Sequence, residues 1–478
     1  MAVECDSWTG AQHPLDWALV YYLPYSNNLS SCASPILRSL TEGLIDSDGS
    51  ATGHVGVFVQ LKRRGDKRMT RYVGRSDTGE GFRMIPAADD CRDSAAEAAF
   101  NRCVVDAEAT FSGARNWCVA VLGHGGSPDQ VCPDDDPGPD GDDPDADGLR
   151  WMPITGVAKA VAGLHVRTGG GVCLLYMQNC CKSTLHMVLA AGDCADALLA
   201  SPLVLGAPNA YYRDTVRALR AEPAMDGLSL ARCITAAEDP AQFGILACFQ
   251  LTRAAPFFAA LENFLGLAAA AVAAGGAKKV LQASIALAVE RWRLSRVDYY
   301  AGGAYDTYVD AGAFCRGILA LVEEVWRPPA EAGAAADAVP KNDTVVEAGS
   351  GPLSTMKGAH AAFEDAFREL LVFRVGGAGG SGYKEAEMCG LTLAFPLVVG
   401  KVGRKDFTPF DSYERASLMA LEARGAPSLT RLRSELRAAI EANSDELRED
   451  HERIVVQAAA TKRTWPNSRL RHRDSDVA

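Results

Sequence analysis

Four strongly apolar segments in the first 180 residues have the length of buried strands and alternate with segments of helical periodicity. The four segments are residues 16–23, 54–61, 116–122 and 172–178. A strand with one solvated face alternates apolar and polar residues, so continuous apolar runs indicate strands covered on both faces. The alternation with helices predicts an α/β fold with a mostly parallel sheet. In such sheets a functional site forms at the carboxyl ends of the strands.

The second half of the chain has a mainly helical pattern. Apolar residues recur at helical spacing in residues 211–219, 228–237, 254–274, 283–292 and 308–325, and strand character returns at 391–399. We therefore expect one domain over residues 1–400, with a catalytic core at 16–210 and a helical second half at 211–400 that returns to the sheet. Residues 401–478 are expected to form a charged helical extension with a disordered tail.

Charge and hydropathy argue against two classes of partner. The net charge is −12, nine of the aspartates lie between Asp129 and Asp147, and no basic stripe occurs, so we expect no direct binding of nucleic acid. The most apolar helical segment, residues 254–274, is rich in alanine and is interrupted by Glu262 and Asn263. This composition suits a buried helix better than a membrane span, so no membrane association is expected.

The N-terminal residues and the cysteines both suggest a reducing compartment. Residues 1–17 contain no basic start followed by an apolar run, which argues against a secretory signal and predicts a cytoplasmic protein. The 14 cysteines are scattered, with no CxxC pair and no histidines at zinc spacing. Most of them are expected to be reduced core thiols.

A histidine and a cysteine follow two of the predicted central strands. His124 lies in the turn Gly123-His-Gly-Gly126, and Cys180 comes 56 residues later, at the end of its own strand. A cysteine nucleophile needs a base or a cation beside it, and a glycine-rich turn lets backbone N–H groups approach a developing oxyanion. Taken singly, such a histidine is commonly a loop residue and such a cysteine a packing residue. Their shared place at strand ends favours a catalytic pair.

Several segments in order along the chain resemble those of clostripain-like cysteine peptidases, which have a caspase-like fold. The apolar strand and Asn-rich turn at residues 17–29, the His-Gly motif at Leu122-Gly-His-Gly-Gly126 and the strand Leu174-Leu-Tyr-Met-Gln-Asn-Cys180 carry the resemblance. Residues 199–206 and 390–396 resemble later strands of the family. The match spans residues 16–396 and implies a caspase-like α/β/α sandwich.

The resemblance also implies residue roles. His124 would be the general base or ion-pair partner and Cys180 the nucleophile, while the backbone N–H groups of Gly125 and Cys180 would form the oxyanion site. Cys181 is the rival nucleophile, because two adjacent thiols cannot both point into one pocket.

The chain departs from the family in the pocket for the residue that precedes the scissile bond. Clostripain-like enzymes line this pocket with acidic side chains and cleave after Arg or Lys. The corresponding positions here are neutral, and we assign the pocket to Gln178, Asn179, Gly206 and Asn209. A guanidinium buried without a carboxylate would cost several kcal/mol, so a strict Arg/Lys preference is not expected. A neutral or acidic residue before the cut is predicted.

The aspartate-rich loop at residues 127–148 has two interpretations. Its carboxylates are the hard oxygen ligands that Ca²⁺ prefers, with Asp143, Asp145 and Asp147 as candidates, and clostripain relatives can depend on calcium. Alternatively, nine aspartates and five prolines repel one another and form a solvated lid over the cleft. The second interpretation is favoured, and no cofactor is expected to be required.

The resemblance implies a cysteine endopeptidase that cleaves a protein or peptide substrate through an acyl-enzyme on Cys180. An unregulated protease would be toxic, so a regulatory protein partner is expected, and analogy with bacterial relatives suggests an effector in defence or cell death. One alternative is a catalytically inactive caspase-fold scaffold that binds a protein partner. A cysteine hydrolase acting on a small molecule is a second.

Overall fold

Five parallel strands form the centre of the main sheet. The computed structural model describes residues 13–45, 52–86, 92–126, 128–136, 150–274, 308–325, 351–378, 388–394 and 416–441. Across the sheet the parallel strands run in the order β9 (Ala197–Ala200), β8 (Val172–Gln178), β5 (Asn116–Leu122), β1 (Trp17–Tyr25) and β2 (Val55–Arg63). The four predicted central strands are all present, and the α/β prediction is confirmed.

Antiparallel strands extend the sheet at both edges. β3 (Thr70–Arg75) and β4 (Arg83–Pro86) follow β2, and β10 (Ile245–Gln250) and β12 (Leu371–Gly376) follow β9. β12 was not predicted from the sequence.

Helices cover both faces of the sheet, and the strand alternation sorts the core into two halves. On β1, Ala18, Val20 and Tyr22 pack into one cluster, while Trp17, Leu19 and Tyr21 pack into the other. Successive side chains of a strand point to opposite faces, so each face receives a full set of apolar residues. One cluster contains α1 (Ala33–Ile45), α5 (Tyr212–Ala221) and α6 (Gly227–Ala237). The other contains α2 (Glu97–Thr110), α3 (Ile154–Arg167), α4 (Leu185–Ala191) and α7 (Ala254–Ala274).

The later helices enlarge the second cluster. These are α8 (Ala311–Val325), α9 (Gly351–Leu370), α10 (Ala416–Gly425) and α11 (Pro427–Glu441). Leu429, Leu432 and Leu436 of α11 are buried in this core, and the Glu262 carboxylate of α7 accepts the backbone N–H of Ser428 at 3.0 Å. The helix predicted at 283–292 and the tail beyond 441 lie outside the described residues.

One helix in the described ranges is long and apolar enough, by length and composition alone, to cross a membrane. It covers Leu251–Ala274, and half of its most apolar 18-residue window is buried inside the molecule. Its Phe257 and Phe264 pack against Phe363 of α9, with ring centroids 5.7 and 6.1 Å apart. This packing is that of a core helix, as predicted for residues 254–274.

Two small sheets lie outside the main one. β6 (Gln130–Asp134) pairs with β7 (Arg150–Pro153), and β11 (Tyr308–Asp310) pairs with β13 (Thr392–Ala394). β13 is the described part of the strand predicted at 391–399. Its Thr392 N–H donates to Ser183 O at 2.9 Å, which brings this late segment against the loop after β8.

A buried carboxylate joins the ends of several elements. Asp134, at the end of β6, is fully buried and accepts the Lys62 Nζ at 2.8 Å, the Ser94 N–H at 2.7 Å and the Ser26 hydroxyl. Burial opposes ionisation of Asp134, but Lys62 and the two serine hydroxyls hold its pKa below the usual range. The ion pair therefore connects β6 with the end of β2 and with the loop after β1.

We predict that Asp134→Asn costs about 3 kcal/mol of unfolding free energy, because it leaves the Lys62 ammonium buried without its counter-charge. Urea unfolding at pH 7 measures the loss. The matched control is Glu80→Gln, which breaks the exposed pair with Arg83, where about half of each side chain is solvated, and should cost less than about 1 kcal/mol. Equal losses in both variants would contradict the role assigned to Asp134.

Candidate active site

The pairing of β5 with β8 brings the predicted catalytic residues together. Leu122 at the end of β5 pairs with Gln178 at the end of β8 in parallel register. His124 and Cys180 each lie two residues beyond this last pair, so the two loops leave the sheet side by side. The contact is close enough to require glycine, because a Cβ at Gly125 would lie 1.9 Å from the carbonyl oxygen of Cys180.

His124 is held by the loop after the neighbouring strand β1. Its Nε2 lies 2.7 Å from Oδ1 of Asn28, and only 6% of the residue is exposed. An amide oxygen only accepts hydrogen bonds, so with this amide orientation Nε2 carries the proton of the neutral ring and Nδ1 is left as the basic nitrogen. Burial lowers the pKa of His124 to about 4, which keeps the ring neutral at physiological pH.

The Cys180 sulfur contacts both a hydrogen-bond donor and an acceptor of one backbone residue. Its Sγ lies 3.4 Å from the backbone nitrogen of Leu205 and 3.6 Å from the oxygen of the same residue. Burial raises the pKa of the thiol, while the Leu205 N–H, the charge of Lys182 and the N–H groups of Gly125 and Cys180 itself lower it. The two N–H groups predicted for the oxyanion site thus lie near the sulfur.

Two further cysteines lie near the nucleophile loop: Cys181 follows Cys180 directly, and the Cys132 sulfur lies 3.6 Å from Nδ2 of Asn179. Cys181 and Cys132 have φ angles of +57° and +56°, a backbone conformation that costs non-glycine residues of the order of 1–3 kcal/mol. Burial raises the pKa of both thiols, and for Cys132 the value is about 12. The rival nucleophile Cys181 is 2% exposed, and its backbone N–H donates to Leu203 O at 3.0 Å.

Asn179 joins the two loops and lies away from the other predicted pocket residues. Its Nδ2 donates to the carbonyl oxygens of Gly123 at 3.1 Å and His124 at 3.3 Å. Gln178 is the last residue of β8 and Asn179 begins the bend after it, where the two side chains reach different partners. The structure therefore brings Asn179 to the histidine loop and leaves Gln178 with Asn209.

Gln178 lies in a buried cluster of tyrosines. Its Oε1 accepts the Tyr211 hydroxyl at 2.7 Å, and its Nε2 donates to the Tyr212 hydroxyl at 3.0 Å and to Oδ1 of Asn209. Both polar ends of the amide are engaged. Gly206, the remaining predicted pocket residue, lies on the adjoining loop, where its N–H donates to Gln242 O at 2.6 Å.

One carboxyl group shares this cluster, and the pocket prediction did not include it. Glu238 is 5% exposed and accepts the backbone N–H groups of Ala210 at 3.0 Å and Asp239 at 2.9 Å. Burial raises its pKa, and its charge in turn raises the pKa of Tyr176, which is also fully buried. The nominally neutral pocket therefore has an acidic group among its neighbours.

Lys182 was not predicted from the sequence, although it lies two residues after the candidate nucleophile. The side chain is fully buried, and its Nζ donates to the carbonyl oxygen of Gly126 at 3.2 Å. Burial lowers the pKa of Lys182 to about 8, against the opposing effect of Cys181 and Asp129. The sequence could have indicated Lys182 as a site residue, because a charged residue soon after an apolar strand is unusual when the segment stays buried.

The helix after the nucleophile loop carries a buried charged group. His186 Nε2 lies 2.9 Å from Oε1 of Glu422, and Arg433 donates to the same carboxylate at 2.7 Å. Burial opposes ionisation of Glu422, but the hydrogen bonds from His186 and Arg433 lower its pKa to about 2. These contacts connect α4, which follows the nucleophile loop, to α10 and α11.

The calcium interpretation rests on residues outside the described ranges. Asp143, Asp145 and Asp147 are among them, while Asp134 of the same loop is engaged with Lys62. Within the described part of the chain, no three histidine, cysteine, aspartate or glutamate side chains are grouped as a metal site would require.

The fold is shared with C11 (clostripain-like) cysteine proteases. A secreted C11 cysteine protease from Bacteroides thetaiotaomicron, solved with an irreversible peptide inhibitor, is 14% identical with a TM-score of 0.51, and the match covers 87% of this chain and 99% of that one. An inactive zymogen C11 protease from Parabacteroides distasonis is 13% identical with a TM-score of 0.50, covering 88% and 99%. No protein-family model and no curated protein sequence matches the chain. The predicted resemblance and the caspase-like fold are confirmed.

The comparison contradicts the cytoplasmic location predicted from the N-terminal residues. The neighbour with the peptide inhibitor and a second Bacteroides thetaiotaomicron structure, iotapain, are both described as secreted. The cytoplasmic prediction was therefore wrong. It rested on the composition of residues 1–17 and on the scattered cysteines, and neither pattern carries much information about the compartment.

We predict that the His124 ring stays neutral down to about pH 4. Between this value and the ordinary histidine pKa of about 6.5 the unfolded chain binds a proton that the native protein does not, so stability falls as the pH is lowered through this window. NMR titration of the imidazole measures the pKa directly, with His124→Gln to assign the signal. The same variant should flatten the dependence of unfolding free energy on pH between 4 and 6.5. Titration of His124 above pH 6 would contradict the prediction.

Proposed function

We propose that this chain is a cysteine endopeptidase with Cys180 as nucleophile and His124 as general base. The observation that carries the proposal is the direct contact between the histidine loop and the nucleophile loop, where Gly125 packs on the backbone of Cys180. The shared fold with C11 cysteine proteases supports the same assignment. A neighbour bound to a peptide inhibitor supports a protein or peptide as the substrate class.

The reaction follows from the groups present. Nδ1 of His124 accepts the Cys180 thiol proton, and the thiolate attacks the scissile carbonyl carbon. The resulting oxyanion accepts hydrogen bonds from the N–H groups of Gly125 and Cys180. The imidazolium then protonates the leaving amine as the carbon–nitrogen bond breaks, which leaves a thioester on Cys180. His124 finally removes a proton from water, whose attack releases the acid and the free thiol.

We further propose that the enzyme does not strictly require Arg or Lys before the cut. Gln178 occupies the position where the family has an acid, and its amide is held by Tyr211, Tyr212 and Asn209. A substrate guanidinium would find a neutral group there and would not recover its desolvation cost. The competing acidic group is Glu238, whose Oε1 is already engaged by two backbone N–H groups.

A scaffold without catalytic activity is the alternative function. It is supported by the burial of both candidate residues, which are each 6% exposed, and by the contact of the Cys180 sulfur with the backbone of Leu205. A protein of this kind would use the same fold to bind a protein partner. Regulation by a protein partner and an effector role in defence remain predictions from analogy.

We predict that Cys180→Ala abolishes both peptide cleavage and labelling by a thiol-reactive peptide probe. His124→Ala should lower kcat/KM by about 10²-fold or more, because the thiol then lacks its base. Cys181→Ala is the matched control and should retain activity. Loss of activity in Cys181→Ala with retention in Cys180→Ala would assign the nucleophile to the other thiol. A folded native protein that neither cleaves nor labels would favour the scaffold.

We predict from the pocket that a peptide library varied at the residue before the cut will show preference for neutral or acidic side chains. Gln178→Glu places a carboxylate at the family position and should raise kcat/KM for Arg-containing peptides by about tenfold relative to neutral ones, through pairing with the guanidinium. A clear Arg or Lys preference in the native enzyme would overturn the proposal. In that case Glu238→Gln would test whether the unexpected acid is responsible.

A further inference from the structure

A buried lysine joins the two loops of the proposed site. Lys182 is fully buried, and its Nζ donates to the carbonyl oxygen of Gly126 at 3.2 Å. Gly126 is two residues after His124, and Lys182 is two residues after Cys180. The lysine side chain therefore connects the nucleophile loop to the histidine loop, two residues beyond each member of the proposed dyad.

The ammonium group lies within electrostatic range of several acidic groups. Its own ionisation is favoured by Cys181, Asp129, Cys180 and Cys132, and the Lys182 charge in return lowers the pKa of Cys180, Cys181 and Cys132. Asp129 is 4% exposed. These groups come from the loop after β8 and from the segment that begins β6. A charge buried among thiols favours their ionised form, because the low local dielectric strengthens the attraction.

His124 does not supply this charge in the resting site. Its ring is buried, engaged through Nε2 with Asn28 and neutral at pH 7. An imidazolium–thiolate pair is then not the resting form of the proposed dyad, and a positive charge near Cys180 has to come from another residue. Lys182 meets this requirement in the described site.

We propose that Lys182 is a positioning residue whose buried ammonium stabilises the Cys180 thiolate, while its hydrogen bond to Gly126 holds the histidine loop against the nucleophile loop. This inference rests on the proposed function, because it assigns Lys182 to the site built around Cys180. The lysine acts through the thiol and needs no contact with the substrate. The proton of Cys180 is transferred to His124, as in the proposed reaction, and Lys182 keeps its own.

The test is the pH dependence of Cys180 alkylation by iodoacetamide, followed by tandem mass spectrometry in a Cys181→Ser background. Lys182→Gln keeps a donor for Gly126 O but removes the charge, Lys182→Met removes both, and Lys182→Arg keeps the charge. Below about pH 8, where Lys182 of the parent protein carries its charge, we expect the two neutral variants to be alkylated more slowly than the parent. At pH 7 the rate should fall about threefold to tenfold because the thiolate fraction is smaller. The fall is limited because a thiolate of higher pKa is more nucleophilic. Lys182→Arg should stay close to the parent protein.

Thermal unfolding of each variant shows whether a change in alkylation reflects loss of the fold or loss of the charge. If Lys182→Met does not fold, Lys182→Gln alone tests the effect of the charge. A Lys182→Gln profile that superimposes on the parent profile would overturn the electrostatic role and leave only the hydrogen bond. The alkylation rate is measurable whether or not the protein cleaves peptides. Failure of peptide cleavage would therefore refute the proposed function, whereas an unchanged alkylation rate at pH 7 would refute this inference alone.

Discussion

The close contact between the two loops that leave β5 and β8 is the constraint on which the site depends. The parallel register pairs Leu122 with Gln178, and Gly125 then packs so closely on Cys180 that a Cβ would overlap the Cys180 carbonyl oxygen. Asn179 fastens the contact by donating to the carbonyl oxygens of Gly123 and His124. Asn28, at the end of the next strand, orients the histidine ring. Three adjacent strand ends thus determine the position of one imidazole and one sulfur.

Later parts of the chain contact the segment that follows Cys180 and help to hold it in place. Thr392 of β13 donates to Ser183 just after the nucleophile, and His186 on the following helix meets the carboxylate of Glu422. Gly425 lies so close to Leu189 that a Cβ there would fall 2.1 Å from a methyl carbon. The loop that carries Cys180 is therefore held by segments more than 200 residues away in sequence. A distant change in the C-terminal helices can reach the site through packing alone.

The amino-acid sequence was sufficient to predict the elements that depend on local pattern. Continuous apolar runs identified the central strands, and the places where those runs end identified His124 and Cys180. β12 escaped prediction because a short edge strand after a helix has no distinctive periodicity. Asn28 and Lys182 were not assigned from the sequence and Asn179 was assigned to the pocket, because the groups that they contact lie in the loop after β5. The paired state of Asp134 could not be predicted either, since Lys62 is 72 residues away and burial of a lysine has no local signal.

The electrostatics of the site follow from the effect of burial on the ionisation of Cys180, His124 and Lys182. A buried thiol resists ionisation and a buried imidazole resists protonation, so burial alone would leave Cys180 and His124 as two neutral groups. N–H groups and the Lys182 ammonium counter part of the first effect, although the pKa of Cys180 stays raised, and the second effect keeps the His124 ring neutral. Burying Lys182 is itself unfavourable, as its lowered pKa shows. Its ammonium is tolerated there because Gly126 O accepts its hydrogen bond and the surrounding thiols and Asp129 favour its charged form. The structure thus places a buried positive charge near a thiol whose ionisation burial opposes.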